Sequence, residues 1–204
     1  RRGAVPDVRD AAHFRGRGVV PRPEPEAMKA LTLTCPWAHA VAYWGKPIEN
    51  RTWRPPRELF GQRLAIHAGR SPFRERKDGA LIASAKGADE LVEALVFCAK
   101  ASGGRVPPGP SAWLHERSSA ILCVATVAGW VRDNGEFDVL SSLPGARDLA
   151  GSPGPWFVGP YGWVLTDVVT LAEPVPCKGA QGLWTVPPDV RVTFDTAATR
   201  REGK

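Results

Sequence analysis

The sequence predicts an α+β fold: a small barrel of mixed and antiparallel strands with two or more helices on its rim. Proline and glycine are frequent, at 20 and 21 of 204 residues, and this composition favours short strands and turns over a helical bundle. Patterns typical of strands occur first and last among the predicted elements, whereas helical periodicity occurs in two segments only. A closed or nearly closed barrel is the economical architecture for such an order of elements.

The chain begins and ends with segments that we expect to be disordered. Residues 1–27 are rich in Arg, Pro and Gly and lack apolar periodicity, which predicts a disordered basic leader. Met28 is the only methionine, so a natural start at this residue is one interpretation. Residues 28–196 are then expected to form one domain, and residues 197–204 a disordered basic tail.

The first two elements of the domain are a strand and a helix. Residues 28–34, MKALTLT, alternate apolar and polar side chains in the manner of a strand. Pro36 is pre-organised for a helix start, and large apolar residues recur after it at helical spacing. Gly45 can adopt the left-handed backbone that ends helices. The pattern therefore predicts a helix at 36–44.

The later elements follow from similar patterns. Prolines end a predicted strand at 48–53, and apolar residues alternate in a second one at 62–68. The second helix, at 88–101, is amphipathic. Residues 119–131 are predicted to form one long strand or a pair of strands, and further strands are predicted at 161–171 and 183–186. The predicted loops are at 102–112 and 134–155.

The composition limits the classes of protein to consider. Apolar residues make up 43% of the chain, and no apolar run approaches the roughly 18 residues needed to span a bilayer. The cysteines are far apart, with no Cys-x-x-Cys pair to indicate a zinc site. We therefore expect a cytoplasmic protein with reduced thiols, no metal, no cofactor and no membrane association.

Positive charge is concentrated in one segment. Residues 46–77 contain nine basic side chains and three acidic ones, while the rest of the domain is slightly acidic. A local basic face of this kind is typical of phosphate binding, although a charged segment can equally be an exposed, solvated surface.

The segment WGKPIENRTWRPP opens this basic region. Strand alternation places Glu49, Arg51 and Trp53 on one face, with Lys46 just before the strand. One interpretation is an exposed row of ion pairs, which contributes little to stability. The other is a binding site in which Trp53, together with Trp37 of the preceding helix, offers flat surfaces to unpaired bases beside fixed cations.

The combination of several motifs resembles the ASCH domain family, a family of small β-barrels in the PUA-like superfamily. The motifs are LTLTCPWA, then Lys-x-x-Glu-x-Arg at 46–51, then a strand ending Ala-Ile-His-Ala, and finally Gly-Pro-Tyr-Gly-Trp-Val-Leu. The similarity covers residues 28–186. It differs at Trp44, where the family usually has glycine, and at Cys35, where many relatives have glutamine.

The resemblance implies a cleft beside the barrel that binds single-stranded RNA or a nucleotide-like ligand. The motif residues carried over are Lys46, Glu49 and Arg51. His67 is either a cleft residue or a structural histidine, and Tyr161 is a contact candidate because its hydroxyl needs a partner. The complete set of expected ligand-binding residues is Trp37, Lys46, Glu49, Arg51, Trp53, His67 and Tyr161.

Two other classes of function remain open at this level, an enzyme and a protein-interaction adaptor. As a metal-independent ribonuclease, the protein would use Lys46 as acid, Glu49 as base and Arg51 as transition-state clamp. An amidohydrolase acting on an acylated nucleoside is disfavoured, because Glu49 stands where such relatives have a threonine. Cys35 is a further candidate nucleophile, at the start of a helix. The third class is a protein-interaction adaptor that uses its loops.

Overall fold

The computed structural model describes residues 27–83 and 88–194. The predicted leader and tail lie outside this range, except for Ala27. The strands are β1 Lys29–Leu33, β2 Ile48–Arg51, β3 Arg63–Ala68, β4 Phe73–Glu75, β5 Leu81–Ala83, β6 Ala120–Arg132, β7 Phe137–Val139, β8 Tyr161–Pro176 and β9 Leu183–Thr185. The helices are α1 Trp37–Tyr43, α2 Ala88–Ala101, α3 Ser111–Glu116 and α4 Ala146–Gly151, with 3₁₀ turns at Arg57–Leu59 and Gly154–Trp156.

Seven of the strands form one mixed sheet. Its order is β2-β8-β6-β3-β1-β9, and β7 pairs with β6 outside this path. β1 and β3 run parallel, and every other pairing in the sheet is antiparallel. β4 and β5 form a separate hairpin. The fold is thus α+β with a mixed sheet, as the sequence predicts.

The sheet curls into a half-barrel and stays open. Its ends are β2 and β9, and no pairing within the described residues joins these two strands. The prediction of a closed or nearly closed barrel was therefore wrong in this respect. The long strands β6 and β8 curve the sheet: their pairing is interrupted by three register shifts, and such bulges bend strands and increase their twist.

One glycine permits the close pairing of β7 with β6. Gly129 lies at a register shift of β6 with a φ of 146°, a conformation that residues with side chains rarely adopt. A Cβ at this position would collide with the backbone of β7, lying 2.7 Å from Val139 Cα. The close approach of β7 to β6 therefore requires glycine here.

Most predicted elements are present, with shifted ends. The long strand at 119–131 and the helix at 88–101 are confirmed as β6 and α2. The predicted loops each contain helical structure, α3 at the end of one and α4 within the other. Their helices are only six residues long, too short for helical periodicity to reveal.

The core lies between the concave side of the sheet and α1. Leu64 and Ile66 of β3 belong to this core, while Ala65 faces a second cluster on the other side of the sheet. Helix α1 is buried over most of its surface, since every residue from Ala38 to Ala42 is buried. Gly45 follows the helix with a φ of 73°, as expected for a left-handed end.

None of the helices in the described part of the chain combines the length and the apolar character needed to cross a membrane.

Candidate functional site

The charged residues of the Lys46–Arg51 motif split between the interior and the surface. Lys46 is 1% exposed, and its Nζ donates hydrogen bonds to the Ile48 carbonyl and, at 2.6 Å, to Glu49 Oε2. Glu49 is 6% exposed. The side chain of Arg51 is 22% exposed, and its Nη2 donates to the Thr32 carbonyl at 3.3 Å.

The three charges form a row that runs outward. Arg51 Nε lies 3.3 Å from Glu49 Oε1, close enough for attraction although the atoms do not have hydrogen-bond geometry. Glu49 thus has Lys46 on its inner side and Arg51 on its outer side. Glu49 and the Thr32 carbonyl together hold the Arg51 guanidinium, which stays partly exposed to solvent.

Arg51 reaches a cleft of about 850 Å³ at one end of the sheet. The cleft lies where β1, β2 and β3 end, and the segment after β8 forms its opposite wall. The described residues that line it are Thr32, Thr34, Arg51, Trp53, His67, Gly69, Arg70, Ser119, Lys178, Gly179, Ala180, Gln181 and Gly182. Three of these are cations and none is a carboxylate.

Trp53 forms part of the cleft wall from just beyond the end of β2. Its ring packs edge-on against Trp163, with 4.7 Å between the ring centroids. Trp163 Nε1 in turn donates to the Trp53 carbonyl at 2.9 Å. The strand was predicted to extend to Trp53 but ends at Arg51, so this contact with Trp163 is what holds the half-buried indole at the cleft.

His67 lines the cleft, but both of its ring nitrogens are engaged. Nε2 lies 3.1 Å from the Cys177 carbonyl, which can only accept, so this nitrogen carries a proton. In the neutral ring, Nδ1 then accepts from Thr32 Oγ1 at 3.2 Å. Trp184 Nε1 donates to the same hydroxyl at 3.0 Å. Burial lowers the pKa of His67, which favours this neutral form.

The wall formed by residues 178–182 lies directly on this histidine. A Cβ at Gly179 would come within 2.5 Å of His67 Nδ1 and 2.7 Å of Thr32 Oγ1. Only glycine allows so close an approach without a shift of the segment. His67 therefore positions this wall of the cleft through Cys177 and Gly179.

Two expected site residues lie elsewhere. Trp37 is half-buried: it packs edge-on against Phe97 of α2, at 5.8 Å, and its ring lies 5.9 Å from Lys46 Nζ. Tyr161 belongs to a separate surface cluster with Trp130, Arg132 and Arg54. The structure thus brings Arg51, Trp53 and His67 to the cleft, and places Lys46 and Glu49 behind it.

Sequence reasoning missed Arg70, Lys178 and the wall at 178–182. Arg70 belongs to the basic segment 46–77, but the charge of a segment does not show where one of its side chains lies in the fold. The wall has the sequence Lys-Gly-Ala-Gln-Gly between two strands. Its glycines indicate a turn, and they could also have indicated that the backbone lies close to another segment.

None of the four cysteines, all of which belong to the described part of the chain, offers an activated thiol, because burial raises the pKa of each. Burial raises the pKa of Cys35 to about 12, with Cys98 adding to the effect, so a thiolate is disfavoured at this helix start. All four cysteines are free. No group of three or more potential metal ligands occurs within residues 27–83 and 88–194.

The arrangement is suited to holding an anionic ligand with an aromatic part. Arg51 offers several N–H donors, Arg70 and Lys178 add positive charge, and Trp53 adds a flat apolar surface. Acid–base chemistry by Lys46 and Glu49 has less support, because both side chains are buried behind Arg51 and already bonded to each other.

Comparison of the sequence with family models and with curated proteins found no match in either case.

Proposed function

We propose that the protein binds single-stranded RNA, or a smaller ligand that contains a nucleobase, in the cleft lined by Arg51 and Trp53. The observation that carries the proposal is the composition of the cleft: three cations, an indole and no carboxylate among its described residues. Its volume of about 850 Å³ lies within the ~300–1,000 Å³ typical of ligand sites. The resemblance of the motifs to the ASCH family supports the same function.

In this proposal the cations hold phosphate or carbonyl oxygens and the aromatic ring stacks on a base. Arg51 is the most precisely placed cation, because Glu49 and the Thr32 carbonyl fix its guanidinium. Base stacking on an aromatic side chain contributes ~1–3 kcal/mol per base. The Gln181 amide and the backbone of the 178–182 wall are positioned to contact polar groups of the ligand.

Fluorescence anisotropy with a labelled single-stranded RNA tests the proposal. If the three cations each contact a phosphate, the logarithm of the affinity should fall with the logarithm of salt concentration with a slope of about −2. Arg51→Ala should reduce the magnitude of this slope by about 0.7. Trp53→Ala should weaken binding by about 5- to 150-fold, corresponding to the loss of one stacked base.

Arg147→Ala is the matched control. Arg147 is an exposed arginine on α4 and does not line the cleft, so its loss changes the net charge equally. Binding that does not depend on salt would overturn the proposal, as would equal effects of Arg51→Ala and Arg147→Ala. A folded protein without affinity for RNA or nucleotides at low salt would favour an adaptor function instead.

A further inference from the structure

A second depression adjoins the cleft. It has a volume of about 510 Å³ and lies between the base of the β4–β5 hairpin and the end of α3. Its described lining residues are Arg70, Ser71, Pro72, Phe73, Arg74, His115, Ser118 and Ser119. Arg70 and Ser119 also line the cleft, so the two depressions share a border.

The border between the two depressions is fixed by the backbone. Ser119 has a φ of 54°, in the left-handed region that residues other than glycine rarely adopt. Its N–H donates to the Gly69 carbonyl at 3.0 Å, and its own carbonyl accepts from the Cys177 N–H at 3.1 Å. These bonds tie together the ends of β3 and β8, and they place Ser119, which is exposed, between the two depressions.

The second depression repeats the chemistry of the first. Arg70 stands on the border and Arg74 at the far side, and both are exposed. Phe73 is a half-buried aromatic residue in its lining, as Trp53 is in the cleft. No carboxylate belongs to the described lining of either depression.

Positive charge continues along the hairpin beyond the second depression. Arg74 also lines a shallow surface with Arg76 and Lys77. Glu75 and Asp78 lie on this surface too, and Asp78 pairs with Arg76 at 3.4 Å. Acidic side chains therefore offset part of the positive charge toward the hairpin tip, whereas no carboxylate belongs to the described lining of the cleft or the second depression.

From this geometry we propose that the ligand is a single strand of RNA several nucleotides long, which leaves the cleft past Arg70 and continues into the second depression. This inference rests on the proposed function. A mononucleotide or dinucleotide held within the cleft would leave Arg74 and Phe73 without a role. A longer strand presents phosphates and bases repeatedly along its length, which matches the cations and aromatic residues that recur along the two adjoining depressions.

Binding of oligonucleotides of increasing length tests the proposal. The probes are a mononucleotide, a dinucleotide and single-stranded RNAs of about four, eight and twelve nucleotides, within the range of known single-strand sites. Affinity should rise from the dinucleotide to about eight nucleotides, and the dependence on salt should steepen over the same range. A plateau at one or two nucleotides would overturn the proposal and leave the cleft as the whole site.

Substitutions show which residues contact the nucleotides that the longer RNAs add. Arg74→Ala should weaken binding of the eight-nucleotide RNA by about fivefold and leave dinucleotide binding unchanged, since each lost cation removes one phosphate contact. Arg147→Ala is the matched control and should change neither. Equal effects of Arg74→Ala and Arg147→Ala on the longer RNA would overturn the proposed path.

The same series separates the two proposals. If Arg51→Ala weakens dinucleotide binding while length and Arg74→Ala have no effect, only the extended path fails. If no probe of any length binds, or if Arg51→Ala has no effect on any of them, both proposals fail together.

Discussion

Two parts of one short segment have opposite surroundings. Lys46 and Glu49 are buried and bonded to each other, whereas Arg51 and Trp53, a few residues further on, line a cleft open to solvent. A charged motif that looks uniform in the sequence therefore divides into a buried part and a part that lines the cleft. The two parts of the segment differ in their exposure to solvent rather than in the presence of charge.

Burying Lys46 and Glu49 costs free energy that their pairing offsets. A charge in the protein interior is costly unless it is paired and hydrogen-bonded, and Lys46 meets both conditions through Glu49 and the Ile48 carbonyl. The pair joins the turn after α1 to β2. It thereby positions the start of Arg51, so the buried part supports the exposed one.

The largest expected effect is on stability and comes from breaking the buried pair. Lys46→Met leaves Glu49 buried without its main partner, and such a change costs about 3–5 kcal/mol of unfolding free energy. Chemical denaturation measures this loss. The double variant Lys46→Met/Glu49→Leu removes both charges and should recover much of it. A loss below about 1 kcal/mol for Lys46→Met would show that the pair has no structural role.

The next effect concerns the buried histidine of α1. Burial, with the nearby charge of Arg117, lowers the pKa of His39 from 6.5 to about 4. Between these values the unfolded chain binds a proton that the folded protein does not, so stability falls as the pH decreases from about 6.5 to about 4. The full loss is about 3 kcal/mol.

Measuring the free energy of unfolding between about pH 4 and pH 6.5 checks that stability falls as the pH decreases. His67, whose pKa is also lowered, contributes in the same direction. His39→Gln removes the titrating group, so its stability should depend less steeply on pH than that of the unmodified protein. An unchanged pH dependence in His39→Gln would contradict this assignment. The two proteins are compared by the slope of their unfolding free energy against pH, so a uniform loss of stability in the variant does not affect the result.

The smallest effect is expected where the segment reaches the surface. Arg51→Ala should reduce the unfolding free energy by about 1 kcal/mol or less, because its side chain is partly exposed and its ion pair with Glu49 is screened by water. Binding of RNA should nevertheless weaken. If Arg51→Ala destabilises the protein as much as Lys46→Met does, the division of the segment into two parts is wrong.

The sequence predicted the elements with strong local signals. The amphipathic pattern of α2 and the long apolar run of β6 each produced the expected element. Gly45 ended α1 as expected. The hairpin of β4 and β5 was not predicted, since its three-residue strands are too short to show alternation.

The residues expected at the site lie in different places. Arg51 and Trp53 were expected to share one face of a strand, and both line the cleft, although Trp53 lies beyond the end of β2 and packs on Trp163. Trp37 and Tyr161 were expected beside them and lie elsewhere. Strand alternation predicts which side chains share a face of the strand, but it does not predict which other parts of the protein pack on that face.

By itself, the sequence determined the α+β class, the mixed set of strands and the basic segment, because composition and periodicity are local properties. Only the tertiary structure decided that the sheet stays open, that Lys46 and Glu49 are interior, and that Arg70 and Lys178 join Arg51 at the cleft. These outcomes depend on contacts between residues far apart in the chain. Lys178, for example, follows Arg51 by more than a hundred residues and joins it in the lining of the cleft because the preceding Cys177 is bonded to Ser119 and His67 while Arg51 is bonded to Thr32.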